Sequence, residues 1–164
     1  MQITNFKEMY IAELQELVSM EKQLTAALAR MAEIASHPAL KSALTRHFRE
    51  TEAQRMRLQS ILQVHGASTD DHTDQAMAAL IQETQKMLGL VKGKDLCDAA
   101  LIASLQKLEH YEMAAYGTAV ALAGELEMRK DQAILRQNLE EEKETDLLLT
   151  RLATGEVNHD ALAA

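Results

Sequence analysis

The chain has 164 residues and a formal net charge of −8, an acidity that disfavours nucleic-acid or anionic-membrane partners because their phosphates would be repelled. Aromatic residues make up only 3% and there is one proline, which disfavours β-sandwiches and barrels, since these use many aromatic and turn-forming residues. The one cysteine, Cys97, excludes an internal disulfide framework.

The first two long helices are predicted on either side of a proline step. The first spans about 4–36, with Thr4 as its N-cap, and His37–Pro38 ends it because proline disfavours helix in the preceding residue. The second spans about 38–65, and Gly66 follows as its C-terminal cap.

A third and a fourth long helix complete the chain after a shorter one. An amphipathic segment at about 74–88 leads to the third long helix at about 95–126. The fourth spans about 130–153. Thr154 and Gly155 are expected to end it, which leaves 154–164 as a loose tail.

The lengths of the connections predict the topology. Short breaks make helices one and two antiparallel neighbours, and likewise three and four, whereas the link from two to three is long enough to run the length of a bundle. Two hairpins joined by one long crossover are typical of ferritin-like bundles. We therefore expect residues 1–164 to form a single all-α domain, a ferritin-like four-helix bundle with a helical crossover between helices two and three.

Polar residues interrupt the apolar stripe of each long helix. Counted at 1.5 Å per residue from the turns, the carboxylates of each hairpin lie level to within about a turn. The polar residues in or beside the stripes are Glu21; His47, Glu50, Thr51 and Gln54; Glu109 and Glu112; and Asn138, Glu142 and Asp146.

Carboxylates that converge in a dry core need protons, cations or a metal, because each isolated buried ion costs at least several kcal/mol. Oxygen ligands together with the imidazole of His47 suit iron or manganese, and also zinc. Inward glutamates on all four helices are the pattern of di-iron carboxylate proteins. His110 should point elsewhere, and Tyr111 and Tyr116 are interpreted as packing residues.

Four segments of the chain resemble the YciE/YciF-type ferritin-like family. The segments are MEKQL (20–24), HFRETEAQ (47–54), DAALIASLQKLEHYEMAAYGT (98–118) and LEEEKETD (139–146). The resemblance implies a dimeric, metal-binding, stress-associated bundle with no firmly assigned reaction. It also implies metal-ligand positions at Glu21, Glu50, Glu109 and Glu142, with His47 and Glu112 beside them.

The chain departs from the general di-iron pattern, which has Glu-x-x-His on two helices. The corresponding positions after Glu50 and Glu142 are Ala53 and Thr145. Members of the family tend to carry a tyrosine at the position that Val18 occupies in this chain. A carboxylate-rich, asymmetric or singly occupied site is compatible with these departures.

The leading hypothesis is a dinuclear iron site of two ions that reacts with a small oxidant, O₂ or peroxide, as a ferroxidase or in peroxide-related stress protection. Glu50 and Glu142 would bridge the ions, Glu21 and Glu109 would cap them, and His47 or Glu112 would complete the set. Two alternatives remain: a dimeric interaction module whose polar core only specifies pairing, and a metal-binding module without turnover.

We expect a cytoplasmic homodimer that binds neither nucleic acid nor membranes. The first residues lack a signal-peptide pattern, and no apolar run approaches the ~18 residues of a membrane span.

Overall fold

The computed structural model describes residues 2–69 and 72–164, and this part of the chain forms six α-helices and no β-strand. The predicted all-helical class is therefore confirmed. The helices are α1 (Phe6–Ile34), α2 (Pro38–Val64), α3 (Gln75–Leu90), α4 (Lys94–Glu125), α5 (Arg129–Leu152) and α6 (Asn158–Ala163), with a π-helical turn (Ala153–Val157) between α5 and α6.

The ends of the five predicted helices lie within one or two residues of the predicted positions, and side-chain caps begin α1 and α3. Asn5, not Thr4, is the N-cap of α1, because its side chain accepts a 2.9 Å hydrogen bond from the Glu8 backbone N–H. The predicted cap at Gly66 is confirmed: its φ is +66°, a conformation that glycine adopts without strain.

The four long helices contact one another in a closed order. α1 packs against α2, α2 against α5, α5 against α4, and α4 against α1. α3 lies against α4 and α1. The core is enclosed between the four long helices.

Within the described residues, no helix is both long and apolar enough to cross a membrane.

The polar residues predicted within the stripes of α1, α2 and α4 are all buried, and Glu50, which borders the stripe of α2, is half-buried. On α5 the prediction for Asp146 is wrong, because Thr145 is buried instead and Asp146 is half-buried. The steps from Glu142 to Thr145 and from Thr145 to Leu149 keep the inward face of a 3.6-residue period. Asp146 instead lies near α4, where Gln106 donates a 3.2 Å hydrogen bond to it.

The prediction of a loose tail at 154–164 is also wrong. The chain continues through the π-helical turn into α6, which packs against α4. Ala153 and Val157 are buried within this turn, so the apolar contact outweighs the helix-breaking tendency of Gly155. His37, in the connection between α1 and α2, lies 3.2 Å from the carboxylate of Glu156.

Asp98 of α4 fixes the connection between α1 and α2. Its buried carboxylate accepts hydrogen bonds from the backbone N–H groups of Ser36 at 2.9 Å and His37 at 2.8 Å, and from the Ser36 hydroxyl. These donors precede the first turn of α2, where a negative charge is favourable. One carboxylate thus attaches the α1–α2 hairpin to α4.

Candidate metal centre

Four ionisable side chains from three helices meet between the long helices. They are His47 of α2, Glu109 and Glu112 of α4, and Glu142 of α5, and we call them the inner cluster. One ligand atom of each lies within 4.8 Å of those of the other three, and all four side chains are buried. Donor atoms about 2.0–2.2 Å from one ion can be separated by up to about twice that distance. The limit of 4.8 Å is slightly above that value, so the four side chains would close around a single shared ion with a small inward movement.

Helical periodicity explains why α4 supplies two of the four. Glu109 and Glu112 are three residues apart, so they project from the same face on successive turns. Tyr116 follows one turn later on that face and is also buried. α4 therefore presents two carboxyls and a phenol to the interior in sequence.

Most of the oxygen and nitrogen atoms that could bind a metal in the inner cluster lack hydrogen-bond partners. This holds for both oxygens of Glu109 and of Glu112, for one oxygen of Glu142, and for both ring nitrogens of His47. His47 Nε2 lies 2.9 Å from Glu109 Oε1, but the pair is not aligned as a hydrogen bond. Because an unsatisfied buried polar group costs about 1–3 kcal/mol, native interiors rarely leave several together. A metal ion would satisfy them at once, so the residues fit a metal.

Burial also changes the acidity of these groups. It raises the pKa of Glu109 to about 8, with the neighbouring Glu142 carboxyl opposing the shift and the charges of Asp146 and Glu50 adding to it. Burial, followed by the charges of Glu142 and Glu21, raises the pKa of Glu112 well above its usual range. Without a cation, the interior therefore favours protonated carboxyl groups.

Glu21 of α1 lies beside the inner cluster, and Tyr116 holds one of its oxygens. Tyr116 donates a short hydrogen bond to Glu21 Oε1 and accepts one of 3.1 Å from the Asn138 side chain. The second oxygen of Glu21 is buried without a partner. Tyr116, interpreted from sequence as a packing residue, thus orients a candidate ligand. The sequence signal for this role was its position four residues after Glu112, which places both side chains on the same face of α4.

Glu50, like Glu21, is a sequence-predicted ligand that lies outside the inner cluster. Its side chain is 31% exposed, and its Oε1 lies 3.3 Å from Arg46 Nε one turn earlier on α2. Its Oε2 is buried without a hydrogen-bond partner.

A polar layer covers Glu142 on the side of α2 and α5. Gln54 donates a short hydrogen bond to Glu142 and another of 3.1 Å to Glu141. Arg57 donates to Glu141 at 2.7 Å and to Asn138 at 2.6 Å. Burial works against ionisation of Glu141, but hydrogen bonds from Arg57 and Gln137 dominate and lower its pKa.

Arg57 was missed by sequence analysis, although it lies one turn after Gln54 on the same helix. Thr51, also on α2, donates a 2.9 Å hydrogen bond to the His47 backbone carbonyl, whereas Gln54 bonds across to α5. His110 is 66% exposed and points away from the inner cluster, as predicted.

An all-helical protein with a buried histidine–carboxylate cluster is the class that this fold and site define. The model of the family described as Domain of unknown function (DUF892) matches residues 5–162, so the chain belongs to this family. Protein YciF of Escherichia coli (strain K12) is 38% identical over 162 residues, which are 98% of each chain. The predicted family resemblance is confirmed.

Solved structures agree with this assignment. The crystal structure of the E. coli stress protein YciF matches with a TM-score of 0.89 at 38% identity, covering 95% of this chain and 99% of that one. YcfI of Rhodopseudomonas palustris matches with a TM-score of 0.88 at 34% identity, covering 91% and 95%. A protein of Xanthomonas campestris pv. campestris, at 21% identity, has a TM-score of 0.78 over 97% and 95% and supports the fold alone.

Proposed function

We propose that the protein is a metal-binding, ferritin-like four-helix bundle whose inner cluster holds iron. The observation that supports this most is the set of unpartnered donor atoms on four buried side chains. The closed order of contacts among α1, α2, α5 and α4, with α3 in the connection between α2 and α4, supports the bundle architecture.

The donor chemistry supports the choice of metal. Three carboxylates and one imidazole suit iron or manganese, and zinc is also compatible. Iron bound there would supply one-electron chemistry toward O₂ or peroxide. The chain's own residues would hold and orient the ion: Gln54 fixes the Glu142 carboxyl, and Tyr116 fixes that of Glu21.

The protons of the inner cluster must leave when a cation binds. Burial favours the protonated carboxyls, so binding would exchange their protons for the metal's charge. A second ion, as the sequence predicts, would need oxygens beyond the inner cluster. The free oxygens of Glu21 and Glu50 are the candidates for it.

A role in stress protection, by ferroxidase or peroxide-related chemistry, is proposed from the relative described as a stress protein. A cytoplasmic homodimer remains part of this proposal. The competing function is a dimeric interaction module without functional metal. The hydrogen bonds that link Glu21, Tyr116 and Asn138 favour it, because they connect α1, α4 and α5 without any metal ion.

A matched pair of variants tests the proposal. Glu112→Gln removes one donor of the inner cluster, and Glu140→Gln makes the same change on an exposed residue of α5 that pairs with Lys143. Anaerobic Fe(II) and Zn(II) titrations of chelator-treated protein should show at least about a hundredfold weaker binding for Glu112→Gln. Glu140→Gln should match the wild type.

Equal affinity for Glu112→Gln and wild type would remove the inner cluster as the site. Absence of binding by the wild type itself would favour the interaction module instead.

A further inference from the structure

Glu50 lies between solvent and the inner cluster. It is three residues after His47 on α2, so the two side chains project from neighbouring positions on successive turns of the same helix. One of its oxygens reaches Arg46 at the surface, and the other is buried without a partner. The same carboxylate is therefore accessible from outside and oriented toward the interior.

Arg46 holds Glu50 in this intermediate place. Its side chain is 52% exposed, and its Nε lies 3.3 Å from Glu50 Oε1 in an i,i+4 pair. An exposed pair of this kind contributes little to stability and so can open readily. Its positive charge also opposes the approach of a cation to Glu50.

We propose that Glu50 is an outer carboxylate that passes a divalent cation from solvent to the inner cluster, and that Arg46 restrains it. This rests on the proposed function, because it assumes that the inner cluster binds metal. It assigns Glu50 a role in the rate of loading, whereas the inner cluster determines the affinity for the first ion. It also replaces the bridging role that the sequence suggested for Glu50.

The sequence of events follows from the charges. A hydrated divalent cation would meet the exposed oxygen of Glu50 and displace Arg46, because a divalent ion attracts a carboxylate more strongly than a monovalent side chain does. Glu50 would then present the ion to the inner cluster, its exposed oxygen and its buried oxygen being used in turn.

The test separates rate from affinity with three variants of the full chain. Glu50→Gln removes the outer carboxylate, Arg46→Gln removes its restraint, and Arg49→Gln is the charge-matched control on a neighbouring exposed position. Stopped-flow mixing with Zn(II) and a chromophoric chelator measures loading, and chelator competition measures the equilibrium dissociation constant. Circular dichroism verifies that each variant is folded.

Loading should be about tenfold slower in Glu50→Gln and several-fold faster in Arg46→Gln, with Arg49→Gln close to wild type. The dissociation constant of the first ion should stay within about threefold in all three. An affinity loss for the first ion in Glu50→Gln as large as that in Glu112→Gln would make Glu50 a resident ligand of that ion and overturn the proposal, as would unchanged loading. If wild-type protein takes up no Zn(II) or Fe(II), the proposed function fails first, and this inference fails with it.

Discussion

Glu21, Glu109, Glu112 and Glu142 are each fully buried, and burial is the largest cause that raises the pKa of every one of them. At the scale of single residues, the carboxyl groups that would bind a metal are therefore protonated when no metal is bound. Tyr116, Gln54 and Asn138 do not change charge at neutral pH in this scheme. They fix the orientation of the carboxyls by hydrogen bonds.

These pKa shifts predict how the stability of metal-free protein depends on pH. The folded state holds protons that the unfolded chain releases near its ordinary value of 4.5. Stability should therefore fall as pH rises from about 4.5, until Glu109 ionises near its folded pKa of about 8. Urea unfolding of chelator-treated protein should show a lower midpoint at pH 8 than at pH 6.

Two controls identify the source of that slope. Glu109→Gln removes the carboxyl at position 109. The unfolding free energy of this variant should therefore depend less steeply on pH than that of the wild type. Saturating Zn(II) should reverse the slope, because metal then replaces the protons. A gain in stability of the metal-free protein between pH 6 and 8 would contradict the claim that the buried carboxyls are protonated.

Tyr116→Phe tests the orienting role of the phenol. It removes the donor to Glu21 and the acceptor for Asn138 in a dry environment, so unfolding free energy should fall by about 1–3 kcal/mol. Tyr111→Phe is the control, since its bond to Asp74 lies in a partly exposed place where water can substitute. Equal losses for the two variants, measured by urea unfolding, would argue against a special environment at Tyr116.

At the scale of elements, the helices are positioned by a few polar anchors added to the apolar stripes. Asp98 joins α4 to the connection between α1 and α2, and Asp74 caps α3 while accepting a bond from Tyr111 of α4. The stripes determine which faces meet, and the anchors determine how far each helix extends along its neighbour.

Asp98→Ala should destabilise the fold more than any surface charge does. It leaves three donors near the start of α2 without their acceptor, and hydrogen bonds to charged groups contribute about 1.5–3 kcal/mol each. We expect a loss of about 3 kcal/mol, measured by chemical denaturation, once water has compensated in part. Asp95→Ala, an exposed change in the first turn of α4, should stay within about 0.5 kcal/mol.

The helices and inward faces of α1, α2 and α4 were predictable because a 3.6-residue stripe depends on the sequence of one helix alone. The error at Asp146 arose because a single-residue shift in register still resembles a stripe, and only packing against α4 distinguishes Asp146 from Thr145. The helical tail was missed because burial of Val157 depends on distant residues, whereas Gly155 is a local signal.

The candidate site was predictable in composition but less so in arrangement. His47, Glu109, Glu112 and Glu142 lie on predicted inward faces, and the structure brings them together. Glu50 borders its stripe, and the sequence could not show that Arg46 holds it outward. Likewise, the bond from Tyr116 to Glu21 joins residues 95 positions apart, which no periodicity on one helix reveals.

At the scale of the whole molecule, the four long helices enclose acidic groups that a dry interior tolerates only when a proton or a cation neutralises them. The formal charge of −8 therefore includes several carboxyls that are buried rather than exposed at the surface. A bound metal would lower the effective negative charge and stabilise the folded state.

The metal content of the purified wild-type chain is the most direct test of this view. The protein should be purified without chelator, loaded anaerobically with Fe(II), freed of loose metal by gel filtration, and analysed by mass spectrometry of the elements. We predict at least one iron per chain in wild type and far less in Glu112→Gln. Iron far below one per chain in the wild type, with manganese and zinc equally low after the same loading, would contradict a metal centre in this protein.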